Sequence, residues 1–354
     1  MGKTSWFDVG FAINREQDLK WLAVAGRSLL DNCSQPDRVR FHILWTHLSP
    51  QDLRALEDSW SDSLSSCQFY YLPDYIGKRS NAPHYGYWFW TWFGNILPEE
   101  IDFLLNLDCD VMVRGDITEL WSIPLQGKIA AAVWDPCARV YNYRDELSVL
   151  ERAAGFEFSK DAEYFNAGVL FLDLAQWRKE RVPETLDKLF ASHRNQTRFY
   201  DQDELNLLLQ DRVYPLSPAW NLIEPLEFYE KWDFGLYHGL DRPERYFEAK
   251  IQHFAGPHKP SSWLVRRSLK QEFYEYLDRT QYAGSRSDND RSLLGRILTE
   301  LLELHYILTR GFQQRALADT GQRLRRVLSR SPYLTLLYPA IPIYRGLRKL
   351  LGKS

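Results

Sequence analysis

Residues 103–121 read FLLNLDCDVMVRGDITELW, and this stretch decides both the fold and the candidate site. Its apolar run stops at Asp108 and Asp110, which flank a cysteine, and then resumes as VMV. A buried strand that ends in two carboxylates leads from a core into a polar site. Because successive strand side chains point to opposite faces, we expect Asp108 and Asp110 on one side, where they can share a cation. The following GDITELW predicts a turn and a short helix.

Strand-like and helix-like segments alternate on both sides of this stretch. Apolar runs of strand length alternate with helical periodicity, and this alternation predicts an α/β fold with a mostly parallel sheet covered by helices on both faces. In the second predicted helix Ser49 is the N-cap and Pro50 is the first residue. The other predicted strands are Trp6–Ile13, Val39–Thr46, Cys67–Leu72, Lys128–Val133, Glu163–Asp173 and a short one at Ile251.

The composition is that of a folded protein, with 354 residues of which 45% are apolar and 26% are charged. The four cysteines form no CxxC pair and the N-terminus has no signal-peptide pattern, so we expect a cytosolic protein with reduced thiols. Neither GxGxxG nor GxxxxGK[ST] occurs, which excludes the common dinucleotide and P-loop motifs. The acidic body of the chain argues against nucleic-acid binding.

The run PHYGYWFWTWF at residues 83–93 is the densest aromatic segment of the chain. These rings could stack on a sugar or a base, or they could pack into the core beneath the strand that ends at Asp108. We favour the core for most of them, because aromatic side chains dominate core burial.

Asp108 and Asp110, together with His253, make a hard oxygen site that also accepts one imidazole, which suits Mn²⁺ better than Mg²⁺. Open metal positions would suit two diphosphate oxygens, and Lys259 would add a positive charge. Taken singly, these residues are weak signals: acidic pairs occur in many turns, and a single histidine is usually a core or surface residue. Asp201 could be only a helix-capping acid, as could Asp203. Their joint occurrence at predicted strand ends favours a ligand site.

Four ordered blocks, LLNLDCDVMVRGDITELW, YFNAGVLFLDLAQWR, DQDELN and HFAGPHKP, resemble the hallmark segments of family 8 glycosyltransferases. These are the retaining galactosyl- and glucosyltransferases of lipopolysaccharide assembly and their glycogenin relatives. The resemblance spans about Phe7 to Trp263. It implies a GT-A fold with a Rossmann-like mixed sheet, a nucleotide-sugar donor that is UDP-linked, and a divalent cation, typically Mn²⁺.

The resemblance also assigns roles to individual residues. The metal ligands would be Asp108, Asp110 and His253, while Gly256 and Lys259 would contact the diphosphate. The transferred sugar would be surrounded by Asp135, Asn166, Asp201 and Gln202.

The chain departs from the family pattern at three places. Asn14 stands where an aspartate usually reads the base. The arginine that is usual before the DxD motif is replaced by an aromatic residue within Trp88–Trp92. The usual lysine-proline-tryptophan is stretched to five residues, Lys259–Trp263.

The leading functional hypothesis is a metal-dependent retaining hexosyltransferase that moves galactose or glucose to a glycan or lipid-linked acceptor in cell-surface polysaccharide or lipopolysaccharide synthesis. Retention requires either a covalent intermediate on Gln202 or Asp201, or attack from the face of the leaving group. We favour same-face attack, with the departing phosphate accepting the proton and Gln202 stabilising the positive ring. The alternative is an inactive sugar-nucleotide-binding or scaffold protein of the same fold; a phosphatase is disfavoured because no partner motif is present.

The C-terminal tail differs in charge from the rest of the chain. From Arg310 to Ser354 there are eight arginines and two lysines against one acid. Within residues 321–354 these basic residues flank YLTLLYPAIPIY, which is too short to span a bilayer but suits an anionic membrane surface. The alternative is a solvated helix docked on the body. The predicted organisation is a catalytic domain at residues 1–280, a polar linker at 281–291 and a helical extension at 292–354, with the protein peripheral on the inner face of the membrane.

Overall fold

The computed structural model describes most of the first 301 residues. The described residues are 6–76, 88–135, 147, 151, 155, 157–159, 162–193, 199–223, 249–256, 258–262, 265–287 and 292–301. The basic tail and residues 83–87 of the aromatic run therefore lie outside them.

The strands of the described residues form two sheets. A seven-stranded sheet has the order β3-β2-β1-β4-β7-β6-β8, and a three-stranded sheet has the order β5-β10-β9. The strands are β1 Phe7–Ile13, β2 Val39–Trp45, β3 Ser66–Tyr71, β4 Phe103–Leu107, β5 Val111–Val113, β6 Ala130–Trp134, β7 Phe165–Asp173, β8 Val213–Pro215, β9 Leu222–Ile223 and β10 Ile251–His253.

The large sheet is mixed and mostly parallel, as the sequence predicts. Strands β3, β2, β1 and β4 are parallel neighbours. Strand β7 runs antiparallel to both β4 and β6, and β8 is parallel to β6. Because β4 and β7 are antiparallel, the carboxyl end of β4 lies beside the first half of β7.

Helices cover both faces of the large sheet. One core cluster includes Phe11, Phe41 and Trp60, a second includes Phe89 and Trp177, and a smaller third includes Tyr164 and Leu207. The helices are α1 Leu19–Asn32, α2 Pro50–Asp58, α3 Pro73–Ile76, α4 Phe93–Ile96, α5 Leu174–Lys179, α6 Val182–His193, α7 Asp201–Leu209 and α8 Arg267–Leu277. Shorter 3-10 turns occur at Glu16–Asp18, Pro36–Arg38, Phe89–Trp92, Ile117–Ser122, Gln210–Arg212 and Pro218–Asn221.

Local sequence signals act as expected at two points. Ser49 is the N-cap of α2: its hydroxyl accepts a hydrogen bond from the Asp52 backbone N–H, and the Asp52 carboxylate accepts one from the Ser49 backbone N–H. The described part of the aromatic run, Trp88–Phe93, is buried, so the core interpretation is confirmed for these side chains.

The expectation that Asp108 and Asp110 continue one strand was wrong. Strand β4 ends at Leu107, and residues 108–110 form a turn before β5 begins at Val111. The break has a physical reason, because β4 belongs to the large sheet while β5 pairs with β10 in the small one. The chain changes sheets between the two carboxylates.

The chain divides into two compact units. The first comprises Met1–Phe254 and Tyr276–Ala283, and the second comprises Ala255–Glu275 and Gly284–Ser354. In the second unit Arg267 pairs with Glu300 at 2.6 Å, and residues 293–301 are helical. The predicted boundaries at residues 280 and 292 remain predictions. No helix in the described part of the chain is long and apolar enough to cross a bilayer.

Candidate active site

Asp108, Asp110 and His253 lie together although more than a hundred residues separate the acids from the histidine. One ligand atom from each of the three lies within 4.8 Å of the others. His253 Nε2 is 3.6 Å from Asp108 Oδ2 and 3.3 Å from Asp110 Oδ1. The Asp108 side chain is 48% exposed, while those of Asp110 and His253 are 11% and 4% exposed. The cluster is therefore buried on one side and open at Asp108.

Backbone hydrogen bonds hold this cluster in place. The Asp108 N–H donates to the Gly168 carbonyl of β7 at 2.8 Å, and the Phe254 N–H donates to the Asp110 carbonyl at 2.9 Å. Gly168 leaves the space that the cluster needs. A Cβ atom at this residue would lie 2.3 Å from His253 Cε1 and 2.8 Å from Asp108 Oδ2. Only glycine fits here without displacing a side chain of the cluster.

A chain of buried amides fixes the orientation of His253. The Gly168 backbone N–H donates to Asn166 Oδ1 at 2.9 Å, so that atom is an acceptor. The same oxygen accepts from Asn221 Nδ2 at 2.8 Å, which leaves Asn221 Oδ1 facing His253 Nδ1 at 2.9 Å. Because an amide oxygen only accepts, Nδ1 carries the proton and Nε2 keeps its lone pair.

The resulting donor set fits a divalent cation. Burial lowers the pKa of His253, although the charge of Asp108 opposes this effect, so the imidazole is neutral. Without a cation, two carboxylates and a bare Nε2 would face one another with electron pairs only. Two carboxylate oxygens and one imidazole suit Mn²⁺, and Mg²⁺ also accepts the oxygens. Hydrogen bonding of the distal ring nitrogen, as by Asn221, is what metal-binding histidines generally show.

A second cluster adjoins the first through Asn166. Its Nδ2 donates to Asp135 Oδ2 and to Gln202 Oε1, both at 3.0 Å. Gln202 Oε1 also accepts from the Ala167 backbone N–H at 3.0 Å, and Gln202 Nε2 donates to Asp135 Oδ2 at 2.9 Å. Thus Asp135 after β6, Asn166 in β7 and Gln202 in α7 form one hydrogen-bonded group. The sequence predicts these three residues, and the structure brings them together.

Asp201 at the start of α7 has a different partner. Its Oδ2 accepts a hydrogen bond from the indole N–H of Trp90 at 2.8 Å. Burial raises the pKa of Asp201 to about 8, the Trp90 hydrogen bond opposes this, and the charge of Asp108 adds to it. The charge of Asp108, one of the three candidate metal ligands, therefore influences the protonation of Asp201.

The other acids of α7 are structural. Asp203 accepts hydrogen bonds from the Tyr164 hydroxyl and from the Phe199 backbone N–H just before the helix. The N-cap residue of α7 is Tyr200, which makes no side-chain cap hydrogen bond, so Asp203 ties the preceding segment to the helix and does not act as its N-cap. Glu204 is fully buried, and burial together with the charges of Asp201 and Asp203 raises the pKa of Glu204 to about 10. Glu204 is therefore protonated at neutral pH.

The remaining predicted residues are placed as follows. Asn14 is half-buried and follows the carboxyl end of β1, which pairs with β4, the strand that leads to Asp108. Gly256 adopts the left-handed backbone conformation with φ 58° in a turn, and Lys259 follows it. Both Gly256 and Lys259 belong to the second compact unit. Their predicted diphosphate contacts remain predictions.

Three residues of the site were not predicted: Gly168, Asn221 and Trp90 as a partner of Asp201. A signal existed for Gly168, since a glycine within an apolar strand often marks a close approach. No comparable signal exists for Asn221, whose role depends on a contact with Asn166, 55 residues earlier.

Solved structures share this fold. The galactosyltransferase LgtC, in complex with donor and acceptor sugar analogs, superposes with a TM-score of 0.59 at 22% identity, covering 80% of this chain and 99% of LgtC. The bifunctional glycosyltransferase WbbM gives a TM-score of 0.64 at 18% identity, covering 79% of this chain and 51% of WbbM. The fold is thus of the GT-A type, and the predicted fold class is confirmed.

Sequence relatives define the family. The model of glycosyl transferase family 8 matches residues 15–264. General stress protein A of Bacillus subtilis is 24% identical over 72% of this chain and 87% of its own length. Lipopolysaccharide 1,2-glucosyltransferase of Escherichia coli K12 is 29% identical over 48% of this chain and 47% of its own length. The chain belongs to glycosyl transferase family 8, and the prediction of a glycosyltransferase is confirmed.

The role of Asn221 can be tested with Asn221→Leu. This change leaves the Nδ1 proton of His253 without its acceptor, so the ring can rotate or change tautomer. We expect the affinity for Mn²⁺, measured by calorimetric titration of the metal-free protein, to fall by about 10- to 100-fold.

Asn106→Leu is the matched control for that experiment. Asn106 is also buried, and its amide makes no hydrogen bond to any described residue. This variant should bind Mn²⁺ as the wild type does. Equal losses in both variants would contradict the role assigned to Asn221.

The buried acid of α7 predicts a pH effect on stability. Glu204 keeps its proton in the folded state to about pH 10 but loses it in the unfolded state near its ordinary pKa of 4.5. Its contribution to the free energy of unfolding is complete below pH 4.5 and is lost as pH rises, by up to about 1.4 kcal/mol per pH unit. The free energies of unfolding of Glu204→Gln and the wild type can be compared by urea unfolding at pH 6, 7.5 and 9. The difference should shift in favour of the variant with each increase in pH. A difference that is constant with pH would contradict the protonated state.

Proposed function

We propose that the protein is a metal-dependent retaining hexosyltransferase. It moves galactose or glucose from a UDP-linked donor to a glycan or lipid-linked acceptor in cell-surface polysaccharide or lipopolysaccharide synthesis. The observation that carries this proposal is the position of the Asp108, Asp110 and His253 cluster directly beside the Asp135, Asn166 and Gln202 group. The first suits a cation and a diphosphate, and the second suits the hydroxyl groups of a sugar.

Asp108, Asp110 and His253 would hold the cation. The cation would supply positive charge to the diphosphate oxygens of the leaving group as they become more negative. Two unit charges about 4 Å apart interact by about 4 kcal/mol at an effective dielectric constant of about 20, and about 1.4 kcal/mol is a factor of ten in rate. An interaction of this size in the transition state is worth about a thousandfold in rate.

The hydrogen bonds of Gln202 support attack from the leaving-group face. Its Oε1 accepts from both Asn166 and the Ala167 backbone, which occupies the two lone pairs of an amide oxygen. An oxygen held in this way is a poor nucleophile. Gln202 then orients Asn166 and Asp135 and places a partial negative charge near the sugar ring, while the departing phosphate takes the proton of the acceptor hydroxyl.

The chemistry of the described site favours a neutral sugar. Asp108, Asp110, Asp135 and Asp201 provide carboxyl groups, and Asn166 and Gln202 provide amides. Such groups bind hydroxyls, whereas a negatively charged sugar would be repelled. The resemblance assigns the base to Asn14 and the diphosphate to Gly256 and Lys259, and we retain these roles as part of the proposal.

The activity is tested by a donor-hydrolysis screen. With Mn²⁺, we expect release of UDP from UDP-galactose or UDP-glucose and its loss in EDTA. Asp110→Asn should reduce turnover about a hundredfold or more, because the cation loses a buried ligand. Asp58→Asn, on the exposed side of α2, should not change it.

Three outcomes of that screen would change the conclusion. Turnover of no nucleotide sugar would support the alternative, an inactive sugar-nucleotide-binding or scaffold protein. Turnover that persists in EDTA would contradict the metal requirement. A transferred sugar whose anomeric configuration by NMR is opposite to that of the donor would contradict same-face attack.

The basic tail, residues 321–354, is proposed to bind the inner face of the membrane. Its basic residues would contact anionic headgroups, each contributing about 1 kcal/mol near the surface, and its apolar residues would lie in the interface. The full chain should float with liposomes containing phosphatidylserine at low salt, and less at high salt. Deletion of residues 321–354 should abolish flotation, and unchanged flotation would refute this role.

A further inference from the structure

Trp90, in the described part of the aromatic run, contacts an acid of the candidate site through its side chain. Its indole N–H donates to Asp201 Oδ2 at 2.8 Å, across 111 residues of sequence. The flanking Trp88 and Trp92 are also buried, and Trp92 lies in the same core cluster. Core packing explains the burial of Trp90 and Trp92, but it does not explain the direction of the Trp90 N–H.

The Trp90 ring is fixed by its surroundings. It lies 6.0 Å, centroid to centroid, from the ring of Trp177. The indole N–H of Trp177 donates to the Thr91 carbonyl at 2.9 Å, which ties the neighbouring backbone to the same ring. Gly94 permits this packing, because a Cβ atom there would lie 2.6 Å from Trp177 Cδ1. The donor that reaches Asp201 is thus held on a rigid support.

The partner of Asp201 is electrically neutral. Within the described part of the chain, no arginine, lysine or histidine forms an ion pair with Asp201, and the nearby Asp108 carries a negative charge. A neutral N–H fixes the position of one carboxyl oxygen and brings no charge to the group. The Trp90 N–H binds Oδ2, so the second oxygen, Oδ1, can form a hydrogen bond with a sugar hydroxyl.

We propose that Trp90 is a positioning residue for the donor sugar, holding the Asp201 carboxyl group in the rotamer in which Oδ1 accepts a hydroxyl of the transferred hexose. The inference rests on the proposed hexosyl transfer. It extends that proposal by naming the residue that orients the sugar-binding acid. Trp90 does not touch the sugar, and it acts through Asp201.

The test uses Trp90→Phe, which keeps an aromatic ring at this buried position and removes the N–H together with part of the indole. Trp92→Phe is the matched control, since it makes the same change two residues away in the same cluster. Both full-length variants are assayed with Mn²⁺ and the UDP-hexose that the wild type hydrolyses. Thermal unfolding of each variant reports whether the fold is retained.

We expect Trp90→Phe to lower kcat/KM by about tenfold or more, because a hydrogen bond to an ionisable carboxyl group is lost. Trp92→Phe should stay within about twofold of the wild type. Calorimetry with two ligands separates positioning from general damage. Affinity for UDP should be unchanged in Trp90→Phe, while affinity for the UDP-hexose falls, because only the hexose contacts Asp201.

A double-mutant cycle with Asp201→Asn completes the test. If Trp90 acts through Asp201, the loss in Trp90→Phe should shrink to within about twofold when Asp201 is already Asn. Equal losses for Trp90→Phe and Trp92→Phe, weaker binding of UDP itself, or full additivity with Asp201→Asn would each overturn the proposal. A wild type that turns over no nucleotide sugar would instead refute the proposed function, so the two failures are distinguishable.

Discussion

Two backbone N–H groups of β7 determine the chemistry of the candidate site. The N–H of Ala167 requires an acceptor and so fixes Gln202 Oε1, and the N–H of Gly168 fixes Asn166 Oδ1 in the same way. Because Asn166 Oδ1 is an acceptor, Asn221 must donate to it through Nδ2. Asn221 Oδ1 then faces the imidazole of His253. The main chain of β7 therefore determines which tautomer His253 adopts, and so leaves the lone pair at Nε2. Main-chain atoms in a buried strand cannot reorient without breaking the sheet, and this rigidity is what preorganised sites require.

The sequence predicted what depends on local pattern. Most of the strands of the large sheet, the Ser49 cap of α2 and the alternation that produces a mostly parallel sheet are encoded in short local windows, whereas the short strands β8 and β9 were not predicted. Asp108, Asp110 and His253 were also selected as candidates, because acids and a histidine occur together at predicted strand ends. The resemblance of four ordered blocks added Asp135, Asn166 and Gln202.

What the sequence did not predict depends on long-range geometry. The turn at residues 108–110 exists because β5 pairs with β10, whose residues come 140 positions later in the chain. Asn221 and Trp90 are polar or aromatic residues in apolar surroundings, and only their contacts with Asn166 and Asp201 distinguish them from core residues. The hydrogen-bond partner of a side chain cannot be predicted from the residues next to it in the sequence. The same limit applies to Asp201 and Asp203, which are two residues apart in one helix and have unrelated partners.

The change of sheet between Leu107 and Val111 has a mechanical consequence. Asp108 is anchored to β7 of the large sheet through its N–H, whereas Asp110 and His253 are anchored to the small sheet through Phe254 and β10. A cation bound by all three would cross-link the two sheets. The free energy of cation binding would then depend on the relative position of the two sheets, because a shift between them would change the distance from Asp108 to the other two ligands. The spacing of the two sheets would therefore set the separation of the ligands, and with it the ion radius that fits the site.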